Sequence, residues 1–208
     1  VLPPAIAPAR IATPARPLVT LSAVAPPKPA GAAEKITIAK TIALNDPISK
    51  AEVKTAVKAW CDGIVAIGKV FSEGGDYEAK ALEHVERHYA FGEIPEGSKL
   101  LFKPTLAHEN NFRSDLDGFM SYFVGNGIYS EDAGFAIKPW SKVRFDMHGT
   151  FITGPTATVS GLYYFTPTAT PDVEVKVEYS FQFVRSKAQP DQLKMVLHHS
   201  SVPYSPPN

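Results

Sequence analysis

Val173-Glu174-Val175-Lys176-Val177-Glu178-Tyr179-Ser180-Phe181-Gln182-Phe183 decides the fold class of this chain. Its odd-numbered positions are β-branched or aromatic and its even-numbered ones polar, the period-two pattern of a strand with one buried face. The same period runs through residues 142–152, 157–166 and 192–202. Turn-rich Gly154-Pro155, Thr166 to Pro171 and Lys187 to Asp191 divide these segments. Four long strands joined by short connections predict an antiparallel meander.

Upstream, the period changes. Ser49-Lys50-Ala51-Glu52 has capping-box form, and Val53, Ala56, Val57, Trp60, Ile64, Ile67 and Phe71 follow at helical spacing. Gly74-Gly75 ends that helix. Asp76 caps a second helix running to about Phe91, with Ala79, Leu82, Val85 and Tyr89 inward and Gly92 closing it. Leu100-Leu101-Phe102 reads as a short strand stopped by Lys103-Pro104-Thr105. Ser114 with Asp117 opens a short helix that closes at Gly125 and Gly127. Helices first and a meander afterwards predict an α+β domain, its helices packed on one face of a curved sheet with a pocket between the two.

Composition narrows the partners. Twenty-one basic residues balance twenty-one acidic ones, so the electrostatic footprint of a nucleic-acid binder or a polybasic membrane binder is missing. No run approaches the ~20 apolar residues needed to span a bilayer, and the chain reads as soluble. Cys61 is the only cysteine, which rules out an intramolecular disulfide and a thiolate metal cage built from one chain. Residues 1–46 are rich in Pro and Ala, with no acidic residue before Glu34. They read as a disordered linker between repeated domains or an organelle presequence, ahead of an ordered domain at 47–208.

The terminal run Leu197-His198-His199-Ser200-Ser201-Val202-Pro203-Tyr204 carries the densest proton-handling chemistry. Continuing the apolar phase of Leu193, Met195 and Leu197 turns His199 and Ser201 inward and leaves His198 and Ser200 outside. A β-bulge reverses that choice. Thr105 and Tyr122 are further candidates: one ends a strand, the other lies in a helix beside Phe119 and Phe123, and each can bring a hydroxyl to a pocket mouth.

Other polar groups read as structural. His84 and His88 are four apart, but Glu83, Glu86 and Arg87 surround them, so a solvated helix face is expected and no metal. His108 falls in a polar loop and His148 on the polar phase of its strand. Arg113 with Asp115 and Arg144 with Asp146 read as ion pairs of small worth.

The blocks Leu101-Phe102-Lys103-Pro104-Thr105, Ser121 to Gly125, Glu131 to Trp140, Val177 to Phe181 and Leu197 to Tyr204, taken in order, resemble the iota-class carbonic anhydrases. The resemblance covers about residues 47–205. It implies a cone-shaped fold of the nuclear-transport-factor and ketosteroid-isomerase type, related to the calcium/calmodulin-dependent kinase association domain. It also implies reversible hydration of carbon dioxide to bicarbonate, often in plastids, by a homodimer. Family site residues carry over onto Thr105, Tyr122 and a His-Ser pair two apart, His199 with Ser201 by the strand phase or His198 with Ser200. No metal and no other cofactor are expected. The rival is a non-catalytic association module of the same fold with a vestigial pocket. Isomerase chemistry ranks behind, for want of an inward carboxylate base.

Overall fold

The computed structural model describes residues 41–206. The Pro- and Ala-rich stretch expected to be disordered lies, up to residue 40, outside the described residues. Helix α1 (Lys50–Ser72) starts on the capping box: the Ser49 hydroxyl accepts from the Glu52 amide and the Glu52 carboxylate accepts from the Ser49 amide. Its inward stripe is Val53, Val57, Trp60, Cys61, Ile64 and Ile67, while Phe71 is largely exposed. Helix α2 (Tyr77–His88) is capped by Asp76 and ends three residues earlier than Phe91. Helix α3 (Leu116–Val124) is capped by Asp115 rather than Ser114 and stops at Gly125, whose φ of 71° is the left-handed conformation glycine supplies.

The sheet has five strands in the order β1-β5-β4-β3-β2. Strands β2 (Trp140–Thr153), β3 (Thr156–Pro167), β4 (Val175–Arg185) and β5 (Leu193–Ser201) form the expected antiparallel meander. The short β1 (Leu101–Lys103) then adds to the far edge, parallel to β5. Ala157, Val159, Tyr163, Phe165, Val177, Tyr179, Phe181, Phe183 and Met195 form the buried face, and the helices close over it, α1 lying chiefly against β2 and α2. This is the α+β architecture the sequence pattern calls for.

One irregularity governs the site. Gln182 pairs with Leu197 but Phe183 pairs with Met195, so Val196 is an extra residue in β5. Before this bulge Leu193 and Met195 point inward; after it His198 and Ser200 do. The expected inward phase for His199 and Ser201 is thereby overturned.

Candidate active site

His198 is 3% exposed and sits at the centre of the buried face, paired across β5 with Phe181 of β4 and Phe102 of β1. The Phe102 ring tilts against it with centroids 4.8 Å apart, and the edges of Trp60 and Phe181 close two more sides. Ser200, also buried, follows two residues later on the same face. Parallel pairing with β1 brings Thr105 alongside: its hydroxyl donates to the Ser200 hydroxyl at 2.8 Å. Tyr122 reaches in from α3, its ring stacked on Phe135 at 5.5 Å. Burial holds its hydroxyl well above the usual phenol pKa, although Leu106 and Thr105 pull the other way. The Tyr122 hydroxyl makes no hydrogen bond of ordinary geometry among the described residues.

Thr105, Tyr122, His198 and Ser200, with Trp60, Phe102, Phe123, Phe135 and Tyr163, line a cavity of about 10 Å³. That is room for about one water molecule, far below the roughly 300–1,000 Å³ that suits drug-sized ligands, and only a molecule of a few heavy atoms is a natural occupant. The lining holds no carboxylate, in keeping with the low rank given to isomerase chemistry. One imidazole among hydroxyls and aromatic rings is also a poor donor set for a transition metal. Among the described residues no three His, Cys, Asp or Glu side chains converge to hold one.

His198 is engaged through both ring nitrogens. Its Nδ1 is 2.7 Å from the Tyr89 hydroxyl and its Nε2 is 3.2 Å from the Tyr163 hydroxyl. Tyr89 in turn accepts from the Trp60 indole N–H at 3.0 Å. Burial, with a smaller push from His199, lowers the His198 pKa to about 3. The imidazole is therefore neutral at physiological pH, carries one N–H, and makes a poor general base.

The two residues favoured by strand phase lie on the other side of the sheet. His199 is exposed, and Ser201 donates to Glu178 at 2.9 Å in an open groove shared with His148 and Ser160. The structure unites Thr105 and Tyr122 with the alternative pair, and not with His199 and Ser201. Trp60, Tyr89 and Tyr163 are residues that helical and strand periodicity mark only as core, and the signal in the sequence for a further role is that each carries a polar tip which must find a partner when buried.

Other structural expectations change as well. His84 and His88 are buried, at 4% and 6% exposure, with ring centroids 4.5 Å apart, because α2 turns Ala81, His84, Val85 and His88 inward. The Ala79 side of the helix faces out. Arg113 pairs with Asp132 and Glu131 rather than Asp115, and is fully buried. His108 is exposed as expected, yet its Nδ1 lies 2.9 Å from Glu131.

The fold is α+β, and its small buried cavity among hydroxyls and a neutral imidazole suits a molecule of a few heavy atoms. Residues 51–202 match the metal-independent carbonic anhydrases, and the chain belongs to that family. It is similar to the metal-independent carbonic anhydrase of Nostoc sp., 36% identical over 192 residues that cover 88% of this chain and 89% of that protein. Among solved structures it is similar to the iota-carbonic anhydrase from a cyanobacterium complexed with bicarbonate. That match has a TM-score of 0.71 and 32% identity, and covers 81% of this chain and 100% of that one. An NTF2-like protein from Pseudomonas putida also appears, at 9% identity and a TM-score of 0.42 over 75% of this chain and 87% of that one. The expected carbonic anhydrase activity, independent of metal, stands on the family, and the rival of a vestigial pocket gives way to it. Among the described residues no helix is long and apolar enough to cross a membrane.

Proposed function

We propose that the chain hydrates carbon dioxide to bicarbonate, reversibly, in the cavity bounded by Thr105, Tyr122, His198 and Ser200. The observation that carries this reading is the convergence of three hydroxyls and a neutral imidazole, drawn from the turn after β1, from α3 and from β5, on one small buried space. In the reaction a lone pair of water forms a bond to carbon, one C–O π pair moves onto oxygen, and one proton is finally released. The Ser200 and Tyr122 hydroxyls hold the substrate oxygens and Thr105 holds the attacking water. Donors fixed where charge develops are worth about 3 kcal/mol each by analogy with oxyanion-hole groups. His198 orders the hydroxyls around it. Bicarbonate, bound in the cyanobacterial relative, fits the same donors as the product here.

Exchanging the two His-Ser phases tests the assignment. Stopped-flow hydration should fall by about 10²- to 10³-fold in His198→Ala and Ser200→Ala and stay near the parent rate in His199→Ala and Ser201→Ala. The reverse pattern would move the site to the outer groove. Two finer points of the resemblance belong here as well. A homodimer is the proposed assembly, checked by light scattering on the eluted protein. Plastid residence is the proposed location, supported by the acid-poor stretch before Glu34 and checked by imaging a tagged full-length protein.

A further inference from the structure

The hydrogen bonds that end at the cavity have a direction, and one residue sets it. An indole N–H can only donate, so Tyr89 is the acceptor in its 3.0 Å contact with Trp60. The Tyr89 hydroxyl is buried and has no other partner among the described residues than His198, 2.7 Å away. Its own proton must therefore go to Nδ1, since a buried donor left unpaired is costly. A neutral imidazole that accepts at Nδ1 carries its hydrogen on Nε2, which is 3.2 Å from the Tyr163 hydroxyl. Tyr163 accepts there. Thr105 donates to Ser200 at 2.8 Å, and the Ser200 hydroxyl gives its own proton to no hydrogen bond of ordinary geometry among the described residues. That proton is left for the cavity, whereas Thr105, having given its proton away, meets a ligand with lone pairs only.

Resting on the proposed site, we infer that Thr105 and Ser200 form a bifunctional proton relay that makes carbonic acid as the immediate product, with Trp60 and Tyr89 as the positioning residues that fix the tautomer of His198 beside it. Water approaches with one O–H on Thr105 Oγ1 and its lone pair toward the carbon of carbon dioxide. As the new C–O bond forms and a π pair retreats onto one substrate oxygen, that oxygen takes the Ser200 proton. Ser200 takes the Thr105 proton and Thr105 takes the proton of the water. Carbon dioxide and water are consumed, carbonic acid is formed, and both hydroxyls end as they began once they rotate back. Carbonic acid ionises to bicarbonate after it leaves. No hydroxide, no base titrating near neutrality and no separate shuttle to solvent are required. The arrangement matches a lining whose titratable groups are Tyr122, Tyr163 and a neutral His198, with the Lys103 ammonium turned to the Ser200 carbonyl at 3.3 Å.

Rates of carbon dioxide hydration measured by stopped flow in mixtures of light and heavy water, across about pH 6 to pH 9, separate a relay from a base. The relay predicts kcat/KM independent of pH, kcat independent of buffer concentration, and a curved isotope dependence from several protons in flight. A single-base sigmoid in pH with a linear isotope dependence would overturn it. Thr105→Val and Ser200→Ala distinguish the two levels of the argument. Loss of about 10²-fold or more in each, combined with a base-like pH profile, rejects the relay and keeps the site; full activity in both rejects the site itself. For the positioning residues, nitrogen NMR of His198 should show hydrogen on Nε2 in the parent and a mixed tautomer in Tyr89→Phe, with kcat down about 10-fold and KM little changed. An Nδ1–H tautomer in the parent, or no change in Tyr89→Phe, would overturn the role given to Trp60 and Tyr89.

Discussion

At the scale of single residues, Tyr122 shows how a site departs from what stability favours. Its hydroxyl is buried without a hydrogen bond of ordinary geometry among the described residues, and an unsatisfied buried polar atom costs about 1–3 kcal/mol. Tyr122→Phe removes that cost and the donor together. The variant should melt at the parent temperature or higher, with stability unchanged or raised by about 1 kcal/mol, while hydration falls by about 10²-fold. Calorimetry beside stopped-flow rates checks both halves, and a loss of stability would mean the hydroxyl has a structural partner. The choice between His198 and His199 was not legible at this scale. The apolar run Met195-Val196-Leu197 lets either phase follow it, and the Val196 bulge that selects one arises from pairing with β4. Thr105 and Tyr122 were legible as hydroxyls at element ends; their meeting with Ser200 was not, because it depends on β1 joining β5 in parallel.

At the scale of an element, α1 and α2 meet through a glycine and an imidazole. A Cβ on Gly63 would fall 2.1 Å from His84 Nδ1, so α1 forgoes a side chain to seat the ring between Trp60 and Phe123. Alanine would raise helix propensity by about 1 kcal/mol relative to glycine. Gly63→Ala should nevertheless destabilise the fold by about 1–3 kcal/mol through overpacking. Chemical denaturation measures it, and a stabilised variant would show that α2 can shift freely. The solvated face expected for His84 and His88 failed for a definable reason. Glu83, Glu86 and Arg87 do face water, but the two histidines lie between them and the apolar stripe, and only contact with α1 decides on which side of that border they fall. The α1 cap and the ends of the strands were legible because they rest on local chemistry: a Ser-Glu capping box, glycines, prolines and alternation.

At the scale of the whole molecule, three imidazoles buried neutral make stability depend on pH. Burial lowers the pKa of His84 well below 6.5, brings His88 to about 4, and brings His198 to about 3. The unfolded chain binds protons at these histidines from about pH 6.5 downward while the folded chain does not. Their contribution is therefore complete above that pH and is lost progressively as the pH falls through the folded values. Melting temperature should decline between about pH 6.5 and 4, and His88→Gln should flatten the upper part of that decline. A constant melting temperature there would place the histidines in contact with water. Further down, the amides of His108, Glu109 and Asn110 hold Glu131 at about 2. Its clamp on Arg113 thus persists until the pH falls from about 4.5 toward 2, a depressed carboxylate losing its contribution in that direction. Arg113 donates two hydrogen bonds to Asp132 and lies 3.7 Å over Tyr129. It ties the loop after Thr105 to the segment after α3, a link between distant residues that nearness to Asp115 in the chain concealed.

The amino-acid sequence by itself determined the element order, the α+β class, the family and the chemical inventory of the site, since caps, turns, alternation and motif blocks are written in neighbouring residues. Which inventory members meet was decided only by tertiary structure. A bulge sets the phase of β5, a parallel edge strand delivers Thr105, and a chain of buried hydrogen bonds runs from Trp60 through Tyr89 and His198 to Tyr163. Each depends on contacts between residues tens to more than a hundred positions apart, where strand register and the need to satisfy every buried donor select one arrangement among several that local pattern permits.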